Sequence, residues 1–355
     1  MATVIARLRQ NLQALGQSLL GVVQNLAIRL FPLTSRLPPL PGGLKLWISL
    51  LSFGFVLAAL VAHGRELLRL SLDLQGWLWL ALGLGISLLS LVVNGLAWGV
   101  VLRWLGRALP LQPLLELFLR TNLRKYLPGG IWHLASRVQV LRRGGEPFGA
   151  PLAAGEALLG TLLDPLLMAV AALLLVPFGG WQRGLALLAL TPLLLLVPAR
   201  LAPLLQRLEQ RRSRQLGLEQ ELAGAPGQAV PLPVLRGYPL LPLGAELAFV
   251  LVRFAGFACC VQAFDLHYPL GWPGWLAGFA LAWTVGLVVP GAPGGLGVFE
   301  AMLLLRLAAA VPEAPLLAVA LSYRLVTTLA DLLVVALVQL DRSLENLILR
   351  NRNYC

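Results

Sequence analysis

Residues Lys125–Arg137 read KYLPGGIWHLASR, and residues Val289–Glu300 read VPGAPGGLGVFE. Each stretch sets a Pro-Gly-Gly break beside aromatic and ionisable side chains in a chain that is otherwise strongly apolar. Of the 355 residues, 58% are hydrophobic and only 12% are charged, and the mean hydropathy is +0.80. A soluble domain carries about 25% charged residues, so this chain is solvated by lipid. Its formal charge of +12 comes from 28 Lys+Arg against 16 Asp+Glu. The cations sit in short runs between apolar stretches, as topology signals and contacts to anionic lipid do, which argues against nucleic acid as a partner. Cys259 and Cys260 are adjacent in an apolar run and Cys355 is terminal. No disulfide framework or metal-ligand spacing follows from them. The first residues carry no short apolar core followed by a small-residue cleavage site, so no cleaved signal peptide is expected.

Outward from the two breaks, the apolar runs predict an all-α integral membrane protein. Leu46–Ala62, Trp77–Leu102, Pro151–Pro177, Leu185–Pro198, Leu247–Phe264 and Leu316–Leu340 are the six span candidates, judged against the roughly 20 residues a crossing needs. Pro110–Leu119, Trp275–Val289 and Val298–Val311 read as too short to cross a hydrocarbon core of ~30 Å. Before these, Ile5, Leu8, Leu12, Leu15, Leu19, Val22, Leu26 and Leu30 recur at three- and four-residue steps. That stripe predicts an amphipathic helix at the interface, ended by the Pro-rich FPLTSRLPPLPGG. The expected organisation is an N-terminal helix and linker over 1–44, a membrane domain over 45–340 and a tail over 341–355.

Cation placement sets the expected orientation. Arg207, Arg211, Arg212 and Arg214 mark the loop 199–240 as cytoplasmic, and Arg342, Arg350 and Arg352 put the C-terminus on the same side. Arg120, Arg124, Lys125, Arg137, Arg142 and Arg143 make the first break a third cytoplasmic cluster. Counting crossings then makes both breaks turns of re-entrant half-helix hairpins, dipping in from opposite faces. Ungapped alignment of Gly145–Asp164 with Pro312–Asp331 matches Glu146 with Glu313, Thr161 with Thr328 and Asp164 with Asp331, among six identities in twenty positions. The expected architecture is two inverted repeats, about 77–177 and 243–340, each made of span, broken hairpin and span. Non-helical backbone at that depth is tolerated only when it is buried in protein or lines a polar cavity.

YLPGGIWHLASR, then GEALLG at Gly155–Gly160, then PGAPGGLGVFEAML at Pro290–Leu303 resemble the lysylphosphatidylglycerol synthase/flippase transmembrane-region family, over about Trp77 to Leu340. The resemblance implies a lipid-handling membrane domain, lacking the soluble aminoacyl-transfer domain that some members carry. It carries the family motif onto Tyr126, Pro128, Gly129, Gly130, Trp132, His133 and Arg137 in the first break, and onto Glu156 in the helix after it. In the second break it carries Pro290, Gly294, Gly295, Gly297 and Glu300, with Arg324 on the last span.

The chemistry of those residue types is consistent with a phosphate-bearing headgroup. Glycines let backbone approach a ligand. Half-helices beginning after Gly130 and Gly297 aim N–H groups inward. Arg137 and Arg324 offer charge-assisted bonds to a phosphodiester, and Glu156 and Glu300 can neutralise those arginines or attract a cationic headgroup. The structural readings stand beside these. A Pro-Gly-Gly is a turn, Lys125 and its neighbouring arginines are positive-inside anchors, Trp132 is a belt aromatic, and Asp164 and Asp331 pair with arginines to hold the bundle.

The leading expectation is a lipid translocase of the cell membrane, with its termini cytoplasmic and no cofactor or metal. No G-x-x-x-x-G-K-[ST] phosphate loop is present to bind ATP. The expected partner is a membrane phospholipid or another lipid-linked substrate, and a homodimer is compatible with the sequence. The alternatives are a membrane-embedded transferase acting on a lipid-linked substrate, with His133, Glu156 and Glu300 as acid and base, and a non-catalytic partner of a lipid-modifying enzyme.

Overall fold

The computed structural model describes residues 72–127, 131–180, 189–201, 237–268, 270–289 and 293–352, with positions 54 and 203, and side chains through residue 343. These residues, all within the compact unit Ile48–Cys355, form helices joined by turns. Their sole β feature is an isolated bridge between Gly145 and Gly149. The expected interfacial helix, the span Leu46–Ala62 and most of the loop 199–240 lie outside the described residues.

The helices follow one order twice. Helix α1 (Leu74–Trp104) leads to short α2 (Leu111–Asn122), a 3₁₀ turn Leu123–Tyr126, short α3 (Trp132–Arg143) and long α4 (Ala154–Leu173). Helix α5 (Leu240–Ala263) leads to α6 (Gly271–Val288), a 3₁₀ turn Pro293–Gly295, short α7 (Val298–Leu307) and long α8 (Glu313–Arg352). Four stretches are long and apolar enough to cross a membrane: Leu74–Trp104, Ala154–Gly179, Leu240–Ala263 and Glu313–Ser343. They correspond to four of the six expected spans. Leu185–Pro198 is different. Its described part is interrupted by the 3₁₀ turn Thr191–Leu195, where Pro192 has no N–H to continue an α-helix. Helix α6 is longer than Trp275–Val289, because Pro273 sits in its first turn, where a missing N–H costs nothing. Its 18 residues cover ~27 Å.

Packing follows residue size. Helices α1 and α5 make the most extensive contact among the described elements, and small residues line it. A Cβ on Gly83 would stand 3.2 Å from that of Cys259, and one on Gly256 would stand 2.9 Å from the Ser87 hydroxyl. Such seams let membrane helices approach closely, where dispersion replaces a hydrophobic drive. A ring cluster of Phe257, Phe279, Phe299 and Tyr323 joins α5, α6, α7 and α8. A second apolar cluster joins α1 to α2, α3, α4 and α8 through Trp98, Phe118, Leu141 and Leu158. Leu325, Leu329 and Leu332 of α8 are exposed, as lipid-facing side chains are.

Candidate functional site

The site builds from α8. Arg324, Thr328 and Asp331 fall at i, i+4 and i+7, one polar stripe on a helix, one position round from the exposed leucines. This stripe fastens both breaks.

Arg324 holds the second break. Its Nη1 donates to the Gly294 carbonyl at 2.6 Å and its Nη2 to the Gly295 carbonyl at 2.7 Å. Its Nε donates to Glu300 Oε1 at 2.6 Å. Glu300 is fully buried and spends its other oxygen on the Gly297 N–H, 2.7 Å away, capping the start of α7. The local sequence permits this fold because Gly294, Gly295 and Gly297 take φ of 59°, 72° and 77°, values that disfavour any residue with a Cβ. Three of the five guanidinium N–H donors are engaged in these bonds, which leaves two free of them.

Asp331 holds the first break. Asn122 Nδ2 donates to its Oδ1 at 2.7 Å, the Tyr126 hydroxyl donates to its Oδ2 at 2.6 Å, and Lys125 Nζ lies 2.7 Å from Oδ2. The Tyr126 hydroxyl also lies 3.5 Å from Thr328 Oγ1. Asp331 is fully buried, and these three partners supply the donors that a buried carboxyl group needs. Lys125 and Tyr126 lie outside the four candidate spans. Burial holds the Lys125 ammonium below its usual value, against the pull of Asp331. The Tyr126 phenol is pushed up, by burial first and then by the Asp331 charge it faces.

The second break touches the approach to the first: a Cβ on Gly294 would meet the Tyr126 ring at 2.9 Å, and Tyr126 stands two residues before Pro128. Trp132 and His133 open α3, whose N-terminus has no side-chain cap, and Trp132 is half exposed. Pro128, Gly129, Gly130 and Pro290 lie outside the described residues.

Two expected site residues sit elsewhere. Arg137 is buried under the rings of Phe118 and Trp98, its guanidinium carbon 3.8 and 5.2 Å from their centroids. Its Nε donates to Thr121 Oγ1 at 3.1 Å, and the charge that bears on it is that of Asp164. Glu156 does not neutralise Arg137. It pairs with Arg107 at 2.5 and 2.6 Å near the bundle surface. Of the two acids and two arginines, the pair that meets is Glu300 with Arg324.

Sequence reasoning treated Asp331 and Lys125 as scaffold and passed over Asn122 and Glu246. The spacing of Asp331 from Arg324 was the readable signal for Asp331, since it puts both on one helix face. Nothing in the sequence marks Asn122 as their partner, because its contact spans 209 residues.

No curated protein matches the chain. The family described as lysylphosphatidylglycerol synthase TM region matches residues 44–334, a range that holds both breaks, the stripe on α8, the first three candidate spans whole and most of the fourth. By that match the chain belongs to the lysylphosphatidylglycerol synthase TM region family, as a multi-pass membrane protein.

Proposed function

We propose that the protein is a lipid translocase, passing a phosphate-bearing headgroup between leaflets at the junction of its two breaks. The observation that carries this reading is the contact of Tyr126 with Gly294, with both breaks tied to one helix through Arg324 and Asp331. In this reading α2–α3 and α6–α7 are re-entrant hairpins that enter from opposite faces. The two runs of elements, α1–α4 and α5–α8, are then inverted repeats. The cation runs orient the first hairpin and both termini toward the cytoplasm of a cell-membrane protein.

The residues divide the work. Arg324, through its two remaining donors, and Lys125 supply positive charge. The N-terminal turn of α3, opened by Trp132 and His133, turns the positive end of its helix dipole toward phosphate oxygens. Glu300 and Asp331 fix the cations in place and cancel enough of their charge for a headgroup to leave again. Acyl chains stay in the bilayer beside the exposed leucines. Rocking of one repeat on the other opens the junction to each leaflet in turn.

The test is transbilayer movement of headgroup-labelled phospholipids in liposomes containing the purified protein, read with an impermeant quencher. Arg324→Lys keeps the charge and loses the planar fork. It should slow movement at least about tenfold, a loss of ~1.4 kcal/mol in barrier lowering. Leu325→Ala, on the lipid-facing side of α8, should leave the rate unchanged. Wild-type protein that moves no anionic, zwitterionic or aminoacylated phospholipid faster than protein-free liposomes would overturn the reading.

A further inference from the structure

A second ionisable group lies away from this junction, between α4 and α5. Asp164 of α4 and Glu246 of α5 are both buried, at 3% and 0% exposure. Their carboxyl groups face each other at hydrogen-bonding range. Neither oxygen of Glu246 and not Oδ1 of Asp164 has a donor among the described residues. A buried carboxylate ordinarily collects donors, as Asp331 does. Here the hydrogen-bonding side chain that Glu246 faces among the described residues is Asp164, and two carboxylates offer acceptors alone. A proton between them supplies the missing donor.

The surroundings fix the charge count. Arg137 of α3 is the cation that acts on Asp164. Among the other elements packed on α4 and α5, α6 contains no ionisable residue, and α1 contains Arg103 alone, in its last turn. Helix α8 presents Asp331 and Tyr323 to Arg253, farther along α5. With one proton shared, Arg137, Asp164 and Glu246 sum to zero charge. With none they sum to −1 in an apolar interior, which is the costly state. Pro165, immediately after Asp164, also denies the Thr161 carbonyl its helical N–H, leaving a further acceptor one turn away.

We propose that Asp164 and Glu246 form a proton-binding site that loads one proton when α4 and α5 are together and releases it when they part. The two carboxyls belong to different repeats, so relative motion of the repeats separates them. On separation the proton leaves the Glu246 carboxyl for water, Glu246 becomes a carboxylate, and Asp164 stays ionised in the field of the Arg137 charge. Its role in driving lipid movement rests on the translocase reading; the binding of the proton does not.

Infrared difference spectroscopy of the purified full chain in liposomes, with pH as the variable, reads the proton directly. Wild type should show a protonated-carboxyl C=O band that shifts on deuteration, and Glu246→Gln and Asp164→Asn should each lose it. In Glu246→Gln the amide can donate to Asp164, so the fold should survive; an unchanged unfolding midpoint checks that. Absence of the band in wild type, its survival in both variants, or its removal by sodium at constant pH would overturn the site. In the same liposomes the wild-type lipid rate should change with pH by up to about tenfold per unit, the limit for one proton, and the Glu246→Gln rate should be flat. A band without any lipid movement would sink the translocase reading and leave the proton site standing. Lipid movement without a band would do the reverse.

Discussion

Gly294 holds φ at 59° with its α-carbon against the Tyr126 ring, so one substitution probes both the turn and the junction. Gly294→Ala adds a left-handed cost of roughly 1–2 kcal/mol and a clash with the ring, and should lower the unfolding midpoint in detergent. Combining it with Tyr126→Ala should recover only the clash. Asp331→Asn leaves the Lys125 ammonium facing a neutral amide in a buried setting and should cost about 3 kcal/mol. Lys125→Met in the same chain should return part of that loss, the coupling that a double-mutant cycle measures. At this scale the sequence was partly readable. Glu300 and Arg324 were both marked, and they meet. Arg137 and Glu156 were marked and stand apart from them, because a motif gives residue types while partners depend on which helices pack. Glu246 was passed over, since a single acid at the edge of an apolar run looks like an interfacial charge until its burial is known.

The seam between α1 and α5 is the element most exposed to change in residue size. Gly256→Leu would drive a branched side chain into Ser87 and the Gly83 backbone and push the helices apart. Overpacking a tight contact costs about 1–3 kcal/mol. The expected outcome is a lower unfolding midpoint, whereas Gly85→Leu, with nothing within 4 Å of a Cβ, should be neutral. Four spans could be read from the sequence because a run of apolar residues near 20 long has one outcome in lipid. Helix ends were harder to read. The run Trp275–Val289 was read without the first turn that Gly271 and Pro273 add, and Leu185–Pro198 was read as a span although Pro192 interrupts its described part.

Across the whole molecule, the repeated order of elements was foreshadowed by the match of Thr161 and Asp164 with Thr328 and Asp331. The opposite entry of the two hairpins is testable by labelling. Leu127→Cys and Leu296→Cys place thiols at partly exposed positions beside the first and second break, in a Cys355→Ser background where Cys259 and Cys260 are buried. An impermeant maleimide should reach Leu127→Cys from the cytoplasmic side and Leu296→Cys from the external side. Labelling of both from one side would contradict the inverted arrangement.

The proposed translocation requires a lipid headgroup to occupy the junction between the breaks. Photocrosslinking with a phospholipid carrying the reactive group on its headgroup, followed by peptide mapping, tests it most directly. Adducts on the peptides that contain Tyr126–Trp132 and Gly294–Glu300, reduced in Arg324→Lys, are the predicted result. Adducts confined to lipid-facing positions such as Leu78 and Leu325, unchanged in that variant, would contradict it.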